Sequence, residues 1–405
     1  PVTGTNHEMD QGTAYGRKPA HSNTLLTEVG PGKPMGELFR RYWQPVATAE
    51  QATTRPKKIR VLGEDLILFR DRKGRPGLVY PRCMHRGTNL FYGKVEDEGI
   101  RCCYHGWLFA VDGTCLDQPC EPEHGLHRDI ARQPWYPVEE RYGLVFAYLG
   151  PPEKKPVLPR YDILEDLAPG EQYQTVIGGQ GATGDDTYEV LPYSWIHMND
   201  NVLDPFHVQV LHSTFTVVQF VAEFKVMPTC DFVPVDDGVY YSAYRRLDDG
   251  REVDRISHWI SPNIMSVPSI QMAAGPSTAI SWVVPADDGS YFQVFAMKVR
   301  EKRAFALAID GKLWKEKTEA ERQDVPGDFE AQVGQGRISL HSEEHLAQSD
   351  RGIVMQRRFL EQQIKLVAEG GDPADVRFDA ADDVVHVRSG NFFKAAKTPE
   401  PVPAE

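Results

Sequence analysis

Cys83-Met84-His85 is followed, after 16 intervening residues, by Cys102-Cys103-Tyr104-His105. A Cys-x-His and a Cys-x-x-His at that separation offer two thiolates to one iron and two imidazoles to the other iron of a [2Fe–2S] cluster, an electron-transfer site. Neutral imidazoles in place of two anionic thiolates reduce the negative charge around the cluster, so it is easier to reduce than an all-Cys cluster. The short spacers leave no room for regular structure, so each ligand pair sits in a tight loop, and Gly87 and Gly106 give backbone freedom just past each His. A structural zinc site is the alternative reading of two Cys and two His. Zinc modules usually pair like with like, as C-x-x-C and H-x-x-x-H, so the mixed pairs favour the cluster, with Cys83, His85, Cys102 and His105 as ligands.

A second constellation lies in Asn201-Val202-Leu203-Asp204-Pro205-Phe206-His207-Val208-Gln209-Val210-Leu211-His212. Histidines at i and i+5 converge on one metal where a helix is broken or bulged, and Asp204 lies one turn before His207. A carboxylate so placed can hydrogen-bond a metal-bound imidazole and orient it; its bland reading is a capping or surface Asp. Alone, D-x-x-H-x-x-x-x-H is weak, because such pairs are common on helices that bind no metal.

Together the two constellations resemble the Rieske non-haem iron oxygenases, whose α subunit joins a cluster domain to a mononuclear iron domain. The loop from Cys102 to Trp107 is similar to the low-potential Rieske domain of ring-hydroxylating oxygenases. The extra disulfide of respiratory-type Rieske proteins would fall at Thr88 and Tyr104, which cannot form one. The resemblance implies that His207 and His212 belong to a two-His, one-carboxylate triad on Fe(II), leaving open positions for dioxygen and substrate. Gly327-Asp328-Phe329-Glu330, followed by Glu344-His345-Leu346, is similar to the family segment carrying the third ligand, which makes Asp328 the choice over Asp324 and Glu330. His341 and His345, near a polar helix start, read as solvated or capping. The matching Asp of the family links the two metal centres across a subunit boundary, so Asp204 would join His207 of one subunit to His105 of its neighbour in a head-to-tail trimer.

The opening segment Leu25 to Pro45 looks like that of the phthalate-dioxygenase-like group, which includes phenoxybenzoate dioxygenase and the 5,5'-dehydrodivanillate O-demethylase oxygenase component; Trp314 to Arg337 looks closest to the demethylase end. The resemblance implies a homotrimeric terminal oxygenase fed by an NAD(P)H-dependent reductase, with or without a ferredoxin. Its substrate would be an aromatic acid or aryl ether oxidised with O2. The first expectation is O-demethylation of a lignin-derived methoxylated biaryl or aromatic acid, and the alternative is ring cis-dihydroxylation of phthalate- or phenoxybenzoate-type substrates. A Rieske electron carrier without oxygenase activity is the rival class, disfavoured by His207, His212 and the long chain beyond the cluster region. An inactive iron-binding module is the other rival, and absent NAD(P)H-dependent oxygen uptake would reveal it.

The remaining composition suits an intracellular enzyme. The 45 basic and 58 acidic residues give a net charge of −13, with no basic stripe for nucleic acid or an anionic membrane. No apolar run approaches the roughly 20 residues of a membrane span, and no charged-then-apolar leader pattern is present. Six scattered cysteines do not make a disulfide framework, so a reducing, cytoplasmic compartment is expected, with Cys103 as a buried neighbour of the cluster.

The expected architecture is α+β: an N-terminal all-β Rieske domain, then a catalytic domain with an antiparallel sheet and helices, of helix-grip, START-like type. Residues 1–24 read as a mobile arm, 25–155 as the cluster domain, 156–395 as the catalytic domain and 396–405 as a tail, with the Gly150 to Pro156 stretch as linker. Strands are expected at Ile59 to Leu62, at Leu66 to Phe69 and repeatedly from Cys230 to Arg300, and a helix from Arg351 to Glu369. Lys225, Arg245, Arg246 and Arg255 are candidate partners for an aromatic acid, although strand arginines are commonly solvated. Phe220, His258, Trp259 and Met272 are candidate cavity or core residues.

Overall fold

The computed structural model describes residues 14, 17–178, 190–302, 312 and 314–394. Most of the expected arm (residues 1–13, 15 and 16) and the expected tail 396–405 lie outside the described residues. Arg17 pairs with Glu343, and the backbone N–H of Asn23 donates to His341 Nδ1 at 3.1 Å, so the chain entering the first helix lies against residues 341–343.

The cluster region is built from short antiparallel strands. In Lys57–Val61 the apolar Ile59 and Val61 point inward while Lys58 and Arg60 face solvent, the period of two that a half-buried strand requires. Its partner Glu64–Arg70 follows through a two-residue turn at Leu62 and Gly63, both at positive φ (49° and 77°). Pro76–Val79 and Trp135–Tyr136 complete this sheet. A second sheet runs Lys94–Glu96, Gly99–Arg101, Leu108–Phe109, Cys115–Asp117. Ile67, Phe69, Val79, Leu90, Ile100 and Phe109 form the core between them, with Cys83 and Cys102 at its edge.

Among the described residues the main sheet is nine-stranded and antiparallel, in the order Gln172–Gly178, Ser290–Val299, Ala279–Asp287, Ile264–Ser266, Glu252–Ile260, Gly238–Arg246, Thr229–Val235, with Gly275–Pro276 and Gly390–Lys394 attached off this path. Its hairpins turn at the expected Asp-Asp-Gly stretches. The tip of the Leu62-Gly63 turn locks onto this sheet, Leu62 N donating to Pro285 O and Gly63 N to Ala286 O, both at 2.8 Å.

Helix Arg351–Ala368 lays Ile353, Leu360, Ile364 and Val367 against the sheet and stops at Gly370, whose φ of 84° suits a residue without a β-carbon. A β-carbon at Gly352 would lie 2.6 Å from the Leu203 carbonyl oxygen, so the glycine lets this helix close against the loop that leads into Asp204. Among the described residues no helix is long and apolar enough to cross a membrane. The architecture is α+β, as the strand and helix signals imply.

Candidate active site

The two cluster loops share one construction. Cys83 N donates to Thr88 O (2.9 Å) and Gly87 N to Cys83 O (2.8 Å), and Cys102 N donates to Trp107 O (2.9 Å) and Gly106 N to Cys102 O (3.1 Å). Gly87 and Gly106 have φ of 79° and 73°, which favours glycine. At Gly106 a β-carbon would also meet Pro119 Cγ at 2.6 Å. Each loop thereby turns its Cys into the core and leaves its His half-buried at the surface. The imidazoles of His85 and His105 meet edge to face with centroids 4.7 Å apart, and the Trp107 indole stacks on His85 at 4.5 Å and 3°. His105 Nδ1 is buried with no hydrogen-bond partner, as a metal-ligating nitrogen would be. Burial pushes the Cys83 thiol up to about 11, so a cation must displace its proton. The donors present thus fit a [2Fe–2S] cluster. Cys103 corrects the expectation: it is exposed, because the loop that points Cys102 inward turns the next residue to solvent.

Beyond the main linker, helix Trp195–Val202 ends at Leu203, and a second helical segment begins at His207. Residues Val210–Thr214 turn as a π-helix, Phe215 N donating to Val210 O at 2.8 Å. This widening of the turn just after the α-helical His207–Gln209 carries His212 round toward the face of His207. Asp328 opens helix Asp328–Val333 and meets both: His207 Nε2 lies 3.4 Å from its Oδ1 and His212 Nε2 lies 3.2 Å from its Oδ2. One ligand atom from each of the three residues falls within 4.8 Å of the others.

The competitors for the carboxylate are placed elsewhere. Glu330 folds back to accept from Gly327 N at 2.8 Å, capping the helix that Asp328 begins, and Asp324 is exposed. His341 accepts from the backbone of Asn23, away from this site.

Within the site the carboxylate and the imidazoles act on one another's charge. Burial alone would raise the Asp328 carboxyl, but the charge of His212 and hydrogen bonds from both imidazoles hold it well below the usual carboxylate range. Burial works against a charged His207, yet Asp328 outweighs it and raises that imidazole above its ordinary value. The neighbours fix both Nε2 atoms inward. His207 Nδ1 hydrogen-bonds the Asp204 backbone carbonyl, and His212 Nδ1 lies 2.7 Å from Gln219 Oε1, whose amide is itself held by Pro326 O at 2.8 Å. The Asp204 carboxylate accepts from Phe206 N (3.2 Å) and His207 N (3.3 Å), and its other oxygen lies 3.6 Å from His207 Nδ1. Asn201, given no role by its sequence context, donates to Asp328 Oδ1 at 3.1 Å and approaches His207 Nε2 at 3.4 Å. Gln219 was likewise unmarked.

A cavity of about 550 Å³ opens from these residues. Val208, Phe220, Phe224, Met265, Ile280 and Phe295 give it apolar walls. Of the sequence candidates, Phe220 and Arg255 line it, whereas His258, Trp259 and Met272 are buried outside its lining. Lys225 and Arg246 are exposed, as anticipated for cations; Arg245 and Arg255 are buried.

Residues 42–137 match the Rieske [2Fe-2S] domain family. Over 403 residues, 99% of this chain and 98% of the relative, the sequence is 55% identical to the phenoxybenzoate dioxygenase subunit alpha of Ectopseudomonas oleovorans. The chain belongs to the Rieske oxygenases. This oxygenase is also 36% identical to the tert-butanol monooxygenase / tert-amyl alcohol desaturase oxygenase subunit of Aquincola tertiaricarbonis, covering 92% of this chain and 84% of that one. It is 31% identical to the 5,5'-dehydrodivanillate O-demethylase oxygenase subunit of Sphingobium sp., covering 89% and 84%. Its fold is that of the crystal structure of dicamba monooxygenase bound to dicamba (TM-score 0.58, 17% identity, 82% of this chain and 98% of that one). A Rieske oxygenase carries a [2Fe–2S] cluster and a mononuclear non-haem iron, and the two donor sets described above fit these groups.

Proposed function

We propose that this chain is the terminal oxygenase that oxidises an aryl ether of phenoxybenzoate type, with Cys83, Cys102, His85 and His105 holding the cluster and His207, His212 and Asp328 holding the iron. The observation that carries the iron assignment is the convergence of two inward Nε2 atoms and one carboxylate at the head of an apolar cavity. When bound, the cluster supplies single electrons and the iron supplies a redox-active centre with open positions for dioxygen and substrate. The residues do the rest. Asp204 O and Gln219 Oε1 fix the imidazole tautomers, Asn201 steadies the Asp328 carboxylate, and Phe220 and Phe224 keep water from the ring that reacts.

In this reading an NAD(P)H-dependent reductase, with or without a ferredoxin, delivers electrons to the half-exposed edge at His85 and His105. A homotrimer places that edge beside the Asp204 of the next subunit. The cytoplasm keeps the six cysteines out of disulfides. The 55% identity to phenoxybenzoate dioxygenase against 31% to the demethylase puts ring oxidation of a phenoxybenzoate-type substrate ahead of O-demethylation, reversing the sequence expectation. Turnover of phenoxybenzoates, phthalates, methoxybenzoates and lignin-derived biaryls with a competent reductase tests this. A product heavier by oxygen without formaldehyde supports ring oxidation; formaldehyde assigns demethylation; no oxygen uptake with any of them overturns the proposal.

A further inference from the structure

The cavity wall contains a cation without a counter-ion. Arg255 is 5% exposed and lines the cavity. Its Nη1 donates to Ser269 O (2.9 Å) and Asn391 Oδ1 (2.8 Å) and also meets Met272 Sδ at 3.9 Å, and its Nη2 donates to Pro268 O (2.7 Å). These bonds use three of the five N–H groups that a guanidinium carries, and every acceptor is neutral. Ala243 pairs with Arg255 and Arg245 with Val253, so Arg245 stands on the same face of the sheet, diagonally across from Arg255. Arg245 is 2% exposed, donates through Nε to Val226 O at 2.9 Å, and keeps Nη1 buried with no partner. Among the described residues neither guanidinium meets a carboxylate.

The Phe224 ring meets both, its centroid 5.4 Å from the Arg245 guanidinium carbon and 5.3 Å from that of Arg255. A ring face softens a buried positive charge but does not replace an ion pair. Burial lowers the Arg255 pKa only to about 10, so it remains cationic near neutrality. Two desolvated positive charges on one face are costly unless an anion joins them.

The cavity runs from the iron ligands to Arg255 along a continuous row of rings. Ring contacts run from His212 to Phe220 (4.7 Å), from Phe220 to Phe224 (6.4 Å) and from Phe224 to Arg255. We propose that Arg255, backed by Arg245, is the carboxylate-binding subsite of this cavity, so that the substrate is an aromatic carboxylate held by its anionic end with the far ring at the iron. The proposal rests on the reading of this cavity as the oxygenase substrate site. It separates a carboxylate from the neutral alcohols named for the 36% identical relative.

Binding tests this without turnover. Isothermal titration calorimetry on the anaerobic holoenzyme would compare 3-phenoxybenzoate with its neutral amide, 3-phenoxybenzamide. A charge-assisted pair predicts that the wild type prefers the acid by roughly tenfold to a hundredfold. Arg255→Gln should erase that preference while leaving amide affinity within about threefold, Arg255→Lys should restore part of it, and the exposed-site variant Arg246→Gln should keep all of it. Equal affinity for acid and amide in the wild type, or equal losses of both in Arg255→Gln, overturns the proposal. Where Arg255→Gln does not fold, the wild-type ratio and Arg245→Gln decide by the same criterion. Arg255-dependent acid binding without any oxygen uptake would uphold the subsite and sink the oxygenase reading of the cavity instead.

Discussion

His207 and His212, five residues apart, meet edge to face with ring centroids 5.3 Å apart, where the α-helical turn His207–Gln209 widens into the π-helix Val210–Thr214. An α-turn would set the fifth residue off the face; the wider turn makes it a metal-binding spacing. His207→Ala should therefore empty the mononuclear site and leave the cluster loops, which sit in a separate core, untouched. Iron analysis with the visible spectrum of the cluster checks this: mononuclear iron lost, cluster absorbance kept. Full iron and full turnover would place the catalytic metal elsewhere.

Protons and iron compete for the same nitrogen. Asp328 holds His207 above its ordinary pKa, and only the neutral imidazole binds metal, so binding must release that proton. Iron retention against a chelator should be constant at alkaline pH and weaken as pH falls through the His207 value, by roughly tenfold per pH unit for one displaced proton. A flat retention curve through the acid side of neutrality would contradict this.

Gln219 accepts from His212 Nδ1 and is itself anchored to Pro326 O. Gln219→Leu removes the acceptor and frees the ring to rotate, so iron affinity should fall roughly ten- to a hundredfold, while Gln219→Glu keeps it. Chelator competition reads both; wild-type affinity in the Leu variant would show that packing alone orients His212.

Asp204 separates a structural from a functional role. Its carboxylate caps Phe206 N and His207 N, which an amide oxygen can also do, so Asp204→Asn should cost less than about 1 kcal/mol of stability. If the carboxylate also joins the two metal centres between subunits, the variant keeps both metals but reoxidises its cluster slowly with substrate and dioxygen present. Single-turnover stopped-flow at wild-type rate would exclude the bridging role.

The tight loops carrying Cys83, His85, Cys102 and His105 were legible because the short spacers and the glycines after each His leave no room for regular structure. His207 and His212 were legible once the i, i+5 spacing was taken to demand a bulged helix. Asp328 was not readable from spacing, since the fold brings it from far along the chain, and only the family resemblance selected it over Glu330, whose capping role the structure supplies. Asn201 and Gln219 carry no local signal: amides are common, and their contacts exist only after the chain folds. Arg245 and Arg246 show a signal that strand parity contained. Tyr241, Ala243, Arg245 and Leu247 share the buried parity, while Arg246 points to solvent.

Turnover with isotope-labelled dioxygen tests the central claim, that His207, His212 and Asp328 hold the iron at which an aromatic substrate is oxidised. With 3-phenoxybenzoate, a competent reductase and NAD(P)H, the wild type should place label in its product. Asp328→Ala, with its cluster intact and still reducible, should form none. Unlabelled product from the wild type, or labelled product from Asp328→Ala at the wild-type rate, would contradict the account.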